Sequence, residues 1–352
     1  MGKKPGEFTY AEIVAQPDVL GAVAAKKESL TATCKAVFAV VQPEEVIFTG
    51  CGTSYYLAQT ICAAFSRYNR IPARALAASE LLLYPELYLK ERRTLFVPIT
   101  RSAQTTEVRR VLAAVRGRPG VATMAVSCDP DSAGINDYCL LTPVTAEKSV
   151  VMTKSFSALL MAGLFMALAA AGETDLSEAL ARLPSSGAEA VARSEAMARK
   201  IVAENGDANL FVFLGQGPCY GLAGEAMIKM TEMSLANTAV FHSLEYRHGP
   251  LSLVDKRTLV VLFASQAAVE VELPLLKELK GLGARTMAIG GALPEALTSV
   301  ANYHVELAPG LGDYLCGPLA IVPAQMLAYH YARRRGLDLD TPRHLSHAVV
   351  LA

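Results

Sequence analysis

Tryptophan is absent from the 352 residues, and neither charge prevails: 33 lysines and arginines stand against 33 aspartates and glutamates. A balanced charge gives no reason to expect nucleic acid or a membrane surface as a partner. Cysteine is sparse and scattered, at positions 34, 51, 62, 128, 139, 219 and 316, with no C-x-x-C pair. An odd, unpatterned set indicates neither a disulfide framework nor a zinc site, and a reducing cytoplasm is expected. No apolar run reaches the ~18–20 residues of a membrane span. The longest, Ala158 to Ala171, reads as a buried helix. The opening Met1-Gly2-Lys3-Lys4-Pro5-Gly6-Glu7 lacks the apolar core of a signal peptide. Two nucleotide signatures are missing as well: no G-x-G-x-x-G follows a strand, and there is no Gly-Lys-Ser/Thr loop.

What is present is largely apolar. Hydrophobic residues make up 52% and charged ones 19%, enough for sizeable cores. At about 150 residues per domain the length suits two domains. The most informative stretch is Val46-Ile47-Phe48-Thr49-Gly50-Cys51-Gly52-Thr53-Ser54, followed by Tyr55-Tyr56-Leu57-Ala58. An apolar strand ends in glycine and hydroxyl residues, and a helix begins. Such a turn aims backbone N–H groups and the helix dipole at an anion. Hydroxyls stand where a nucleotide loop would carry more glycine. That suits a phosphate on a small molecule, with Gly52, Thr53 and Ser54 as its contacts.

The chain repeats itself. Val46–Gly52 recurs as Phe211-Val212-Phe213-Leu214-Gly215-Gln216-Gly217, and Tyr56-Leu57-Ala58 echoes Tyr220-Gly221-Leu222-Ala223. Thr94-Leu95-Phe96-Val97 matches Thr258-Leu259-Val260-Val261, and Ala122–Val126 matches Arg285–Ile289. Four matches in order, at a nearly constant offset, indicate a duplicated domain. Strands alternate with helical stretches such as Glu107–Arg116 and Val269–Leu282. The pattern predicts two tandem doubly wound α/β domains with parallel sheets, whose ligands bind beyond the C-terminal strand ends. The expected boundaries are a helical segment over 1–29, a first domain over 30–172, a helical connector over 173–194, a second domain over 195–335 and a tail over 336–352.

Four groups of residues carry candidate chemistry. Leu95–Ile99, read as the second strand of its copy, runs into Thr100-Arg101-Ser102-Ala103-Gln104-Thr105-Thr106-Glu107. Its hydroxyls and arginine suit a phosphate, and helix capping by Thr100 or Ser102 accounts for the same residues. Glu225, Lys229 and Glu232 fall at i, i+4 and i+7 on one face of a helix over Gly221–Leu235. They form either a solvated salt-bridge stripe or a carboxylate held beside an ammonium for proton transfer. His248 precedes Gly249-Pro250, a sharp turn that fixes an imidazole on a loop. His242 and Glu245 have weaker claims, and His304 and His330 read as structural. The loop Glu147–Ser155 offers donors next to the long apolar helix and includes Val150 as a candidate substrate contact; capping of that helix by Thr153 or Ser155 is the plainer reading.

These groups, in this order, resemble the sugar isomerase (SIS) domain family. More narrowly, the chain is similar to the isomerase half of glutamine–fructose-6-phosphate aminotransferase and to freestanding amino-sugar-phosphate isomerases and deaminases. The resemblance runs from Glu12-Ile13…Gln16-Pro17 to Pro342-Arg343 and implies flavodoxin-like domains. It implies that Ser54, Thr100, Arg101, Ser102 and Thr105 surround a sugar phosphate. It implies that Glu232 moves a proton between C1 and C2, with Lys229 and Glu225 close by. It implies that His248 assists ring opening, in that family from the neighbouring subunit of a homodimer. No metal or redox cofactor is needed for this chemistry.

Two departures shape the expectation. In the aminotransferase a cysteine nucleophile follows Met1; here Gly2 does, and glutamine-dependent amination by this chain is not expected. The family's tail carries a lysine that forms an imine with the ketose, and His347 stands at that place. Imidazole forms no stable imine, so His347 is expected as an acid/base for ring opening or ammonia departure, or else as a plain tail residue. Ala103 also replaces a glycine of the family pattern. The expected activity is a phosphosugar isomerase or isomerising deaminase. The alternative is a non-catalytic sugar-phosphate sensor, and a nucleotide-binding protein of doubly wound fold ranks behind both.

Overall fold

The computed structural model describes residues 5–142, 147–308 and 310–351. They form two compact units. The first unit holds Asp18–Glu147, Lys154–Arg182 and the tail from Ser346. The second holds the N-terminal stretch through Pro17, Lys148–Thr153 and Leu183–Leu345.

In the first unit, β1 (Glu45–Gly50), β2 (Ala73–Ala77), β3 (Thr94–Thr100), β4 (Val121–Ser127) and β5 (Tyr138–Leu141) form one parallel sheet in the order β2-β1-β3-β4-β5. The second unit repeats the plan with β6 (Leu210–Gly215), β7 (Asn237–His242), β8 (Thr258–Phe263), β9 (Arg285–Gly290) and β10 (Tyr303–Glu306), in the order β7-β6-β8-β9-β10. Even the register repeats: Glu45 pairs with Thr94 as Leu210 pairs with Thr258. Both sheets have the flavodoxin-like strand order, whose reversal between the first and third strands opens a crevice at their C-terminal ends. The turns after β1 and β3, and after β6 and β8, are therefore the places for ligand-binding side chains.

The edge strands correct the sequence reading. Leu95–Ile99 lies in the third strand of its copy, because β2 precedes it. β2 is Ala-rich and only half-buried along its length, and β7 is exposed at both ends, so neither carries a strong apolar signal. Central strands β1, β3 and β8 are buried at every residue, as a doubly covered parallel sheet requires. Helix Lys154–Ala171 is apolar all round and is the central helix of the first unit. It has 18 residues, long and apolar enough to cross a membrane by length and composition, but 83% of it is buried inside the protein. Between the sheets, helix Thr174–Ala181 clusters with the first unit and helix Gly187–Glu204 with the second.

Candidate active site

The turn after β1 is built by two glycines with different duties. A β-carbon on Gly50 would stand 2.6 Å from the Ser54 backbone, so only glycine lets the helix Thr53–Tyr68 start this close to the strand. Gly52 adopts φ 53° and ψ −125°, closed to ordinary side chains. The sister turn repeats both features. A β-carbon on Gly215 would lie 2.4 Å from the Cys219 carbonyl oxygen, and Gly217 has φ 54° and ψ −124°. In the first turn the N–H groups of Ser54, Tyr55 and Tyr56 donate to the carbonyls of Cys51 and Gly52 at 3.1, 2.9 and 3.2 Å. These amides are engaged within the turn, so its polar offering is the hydroxyl pair Thr53 and Ser54, each under a tenth exposed. Burial, and then Glu107, push the Cys51 thiol up to about 12, so it is a neutral filler of the turn.

The loop after β3 is organised by its own hydroxyls. Thr100 Oγ1 accepts the Ala103 N–H at 3.0 Å, and Ser102 Oγ accepts the Gln104 N–H at 3.3 Å. A hydroxyl that accepts from the backbone keeps its hydrogen for another partner, the form in which it serves a phosphate. Ala103 sits at φ 53°, which explains why glycine suits this place and marks a strained residue here. Thr105 is half-buried at the start of helix Thr106–Val115. Arg101 Nη1 donates to Glu147 Oε2 at 3.1 Å, and Nη2 donates to the His347 carbonyl at 2.8 Å. Glu147, its side chain 1% exposed, also accepts the Ser155 N–H at 3.1 Å and the Ser155 hydroxyl. Glu147 is the residue the sequence reading leaves out of the site. A single acid a few residues before the apolar helix is its only signal in the sequence. His347 is exposed as a residue, yet partial desolvation of its imidazole and then the Arg101 charge lower its pKa, against Glu147.

In the second unit, helix Pro218–Ser234 begins three residues earlier than the sequence suggests. Its Glu225 and Lys229 are 0% and 1% exposed, which rules out a solvated stripe. Lys229 Nζ lies 2.6 Å from Glu232 Oε2 and 3.7 Å from Glu225 Oε1. Of the three, only Glu232 reaches solvent, with 19% of its side chain exposed. Burying such ions costs several kcal/mol each before they pair. A buried ammonium holding a carboxylate that reaches solvent is an arrangement able to support proton transfer.

His248 closes the short 3-10 turn Glu245–Arg247, donating its N–H to the Glu245 carbonyl at 3.0 Å. Gly249 follows at φ 113°. Buried Tyr246 and the 2.7 Å ion pair of Arg247 with Glu278 pin the turn, so the exposed His248 is displayed from a fixed base. Val150 is half-buried, and its N–H donates to the Asp340 carbonyl at 3.1 Å. That loop is tied down by a buried knot in which Thr9 Oγ1 meets Ser149 Oγ at 2.8 Å and Asp340 Oδ1 at 2.9 Å. The candidates thus fall into two sets. Gly52, Thr53, Ser54, Thr100, Arg101, Ser102, Thr105 and His347 belong to the first unit; Glu225, Lys229, Glu232, His248 and Val150 belong to the second.

A family model described as the SIS domain matches residues 40–169 and again 207–333, one match on each sheet. The chain belongs to the SIS domain family. Its sequence and fold are similar to those of the glucosamine-6-phosphate deaminase of Thermotoga maritima, at 32% identity and a TM-score of 0.81, with 98% of this chain and 100% of that one covered. The tagatose-6-phosphate ketose/aldose isomerase of Escherichia coli shares the fold at 22% identity and a TM-score of 0.81, covering 96% and 98%. The glutamine–fructose-6-phosphate aminotransferase (isomerizing) of Pseudomonas aeruginosa is 30% identical in an alignment 369 positions long that covers 98% of this chain and 59% of the relative. For the enzyme of that name from Methanothermobacter thermautotrophicus the figures are 28%, 88% and 52%. The chain therefore spans little more than half the length of these curated relatives.

Proposed function

We propose that this SIS protein is a phosphosugar isomerase or isomerising deaminase acting on an amino-sugar phosphate of the hexosamine-6-phosphate type. The observation that carries the reading is Lys229, buried to 1% and bonded at 2.6 Å to the solvent-reaching carboxylate of Glu232. The hydroxyls of Ser54, Thr100, Ser102 and Thr105 hold the phosphate. Glu232 takes the proton from C2 of the open-chain amino aldose and returns it to C1. Lys229 fixes that carboxylate, and Glu225 balances the buried ammonium. The proton shift leaves a C2 imine on the substrate's own nitrogen. Water adds to it, ammonia leaves, and a ketose phosphate remains. That route needs no enzyme lysine, in keeping with His347 in the tail. His347 and His248 supply acid/base groups for ring opening and for the departing nitrogen, His248 from the partner of a cytoplasmic homodimer.

The similarity to a glucosamine-6-phosphate deaminase over the full length of both chains supports this substrate class. Purified protein incubated with glucosamine-6-phosphate is expected to release ammonia and ketose phosphate in equal amounts. Glu232→Gln should lower that rate at least about a hundredfold, the usual scale of a general base. Wild-type turnover by Glu232→Gln would remove Glu232 from the mechanism.

A further inference from the structure

The last residues of the chain cluster with the first unit, although Leu183–Leu345, from which they emerge, cluster as the second. Arg101 Nη2 donates to the His347 carbonyl at 2.8 Å, the Thr106 N–H to the Val349 carbonyl at 3.1 Å, and the Leu351 N–H to Thr106 Oγ1 at 3.0 Å. Arg101 lies in the loop that offers Thr100, Ser102 and Thr105, and Thr106 opens the helix that follows it. Arg101 is itself fixed through Nη1 by Glu147, a carboxylate buried to 1% and tied to the N-terminus of helix Lys154–Ala171 through the Ser155 N–H. The planar guanidinium bonds a carboxylate on one nitrogen and a carbonyl on the other; a lysine ammonium has no such fork.

We propose that Arg101 is a positioning residue that straps the C-terminal tail to the phosphate loop and so sets where the His347 imidazole stands. Glu147 aims the guanidinium, and Thr106 carries the second point of the strap. The strap stands on the hydrogen bonds alone; its effect on turnover rests on the proposed function.

Amide hydrogen exchange on the full-length protein tests the strap without any assay of activity. The wild-type amides of Thr106 and Leu351 should be protected. Arg101→Lys, which keeps a charge opposite Glu147, should lower both protections about tenfold, the scale of one lost hydrogen bond from a charged donor. Thr106→Val removes the acceptor for Leu351 alone and should expose only that amide. In steady-state kinetics with glucosamine-6-phosphate, truncation after Ser346 should lower kcat and leave KM within about twofold. Arg101→Lys should do the same in the full chain and add nothing in the truncated one. Unchanged protection of both amides in Arg101→Lys would overturn the proposal. So would a rise in KM of equal size with and without the tail, the mark of a direct phosphate ligand. A protein inert toward the sugar would refute the proposed function and leave the exchange result to decide the strap.

Discussion

In the first unit, β3 runs out into Thr100-Arg101-Ser102, and an acid after β5, Glu147, takes up the arginine. In the second, β8 runs out into Ala264-Ser265-Gln266, and an acid after β10, Asp313, takes up the Ser265 hydroxyl at 2.7 Å and the Gln266 N–H at 2.9 Å. The Ser265 N–H goes to a second carboxylate, Glu272, at 3.1 Å, which also accepts the Ser243 hydroxyl at 2.9 Å. Glu272 is fully buried, where the corresponding turn of the first unit's helix buries Val108. Burial first, with Asp313 adding, raises its pKa. The strand-end donors of the second copy are thus engaged by the chain's own carboxylates, while in the first copy the Thr100 and Ser102 hydroxyls accept from backbone N–H groups and keep their own hydrogens to donate. One scaffold, used twice, has a cradle suited to an anion in one copy and a buried ammonium with two carboxylates in the other.

The largest effect that would break this contrast is at Lys229. Lys229→Met leaves Glu225 buried without its ammonium, and stability should fall by about 3–5 kcal/mol in urea unfolding. A loss under about 1 kcal/mol would mean an exposed-type pair, against the burial described. Next come the paired glycines. Gly50→Ala and Gly215→Ala both drive a methyl into the following helix, at 2.6 and 2.4 Å, and each should cost about 2 kcal/mol or more. Similar shifts in denaturant midpoint would confirm that the copies share this constraint; a tolerated change in either would break the equivalence.

Acid should act on the second unit through His330. Its pKa is lowered to about 4, first by burial, then by Arg199, with Arg333 adding and Glu195 at 3.8 Å opposing. The unfolded chain binds that proton near pH 6.5, so the stability is present above that value and is lost as pH falls toward 4. The loss should be on the order of 2 kcal/mol by pH 5, and His330→Leu should remove this component from the pH profile of unfolding.

Much of this contrast could be read from the letters. The repeat of Val46–Gly52 at Phe211–Gly217 foretells the two sheets, and the glycine spacing foretells both turns. The edge strands β2 and β7 escape because half-exposed, Ala- or polar-containing strands lack the apolar run that marks β1 and β8. The spacing of Glu225, Lys229 and Glu232 puts them on one face of a helix, but spacing does not say whether that face meets solvent or protein. That depends in large part on helix Val322–Arg334, which packs on Pro218–Ser234 from far along the chain. The bonds of Arg101 to Glu147 and His347 span 46 and 246 positions, beyond any local pattern.

The division of labour between the copies is tested most directly by measuring glucosamine-6-phosphate binding by calorimetry together with solvent-hydrogen exchange at its C2. Glu232→Gln is expected to bind with wild-type affinity and to exchange no C2 hydrogen above background, while Ser54→Ala with Thr100→Val loses affinity. Exchange that survives in Glu232→Gln, or affinity untouched by the double hydroxyl change, would contradict it.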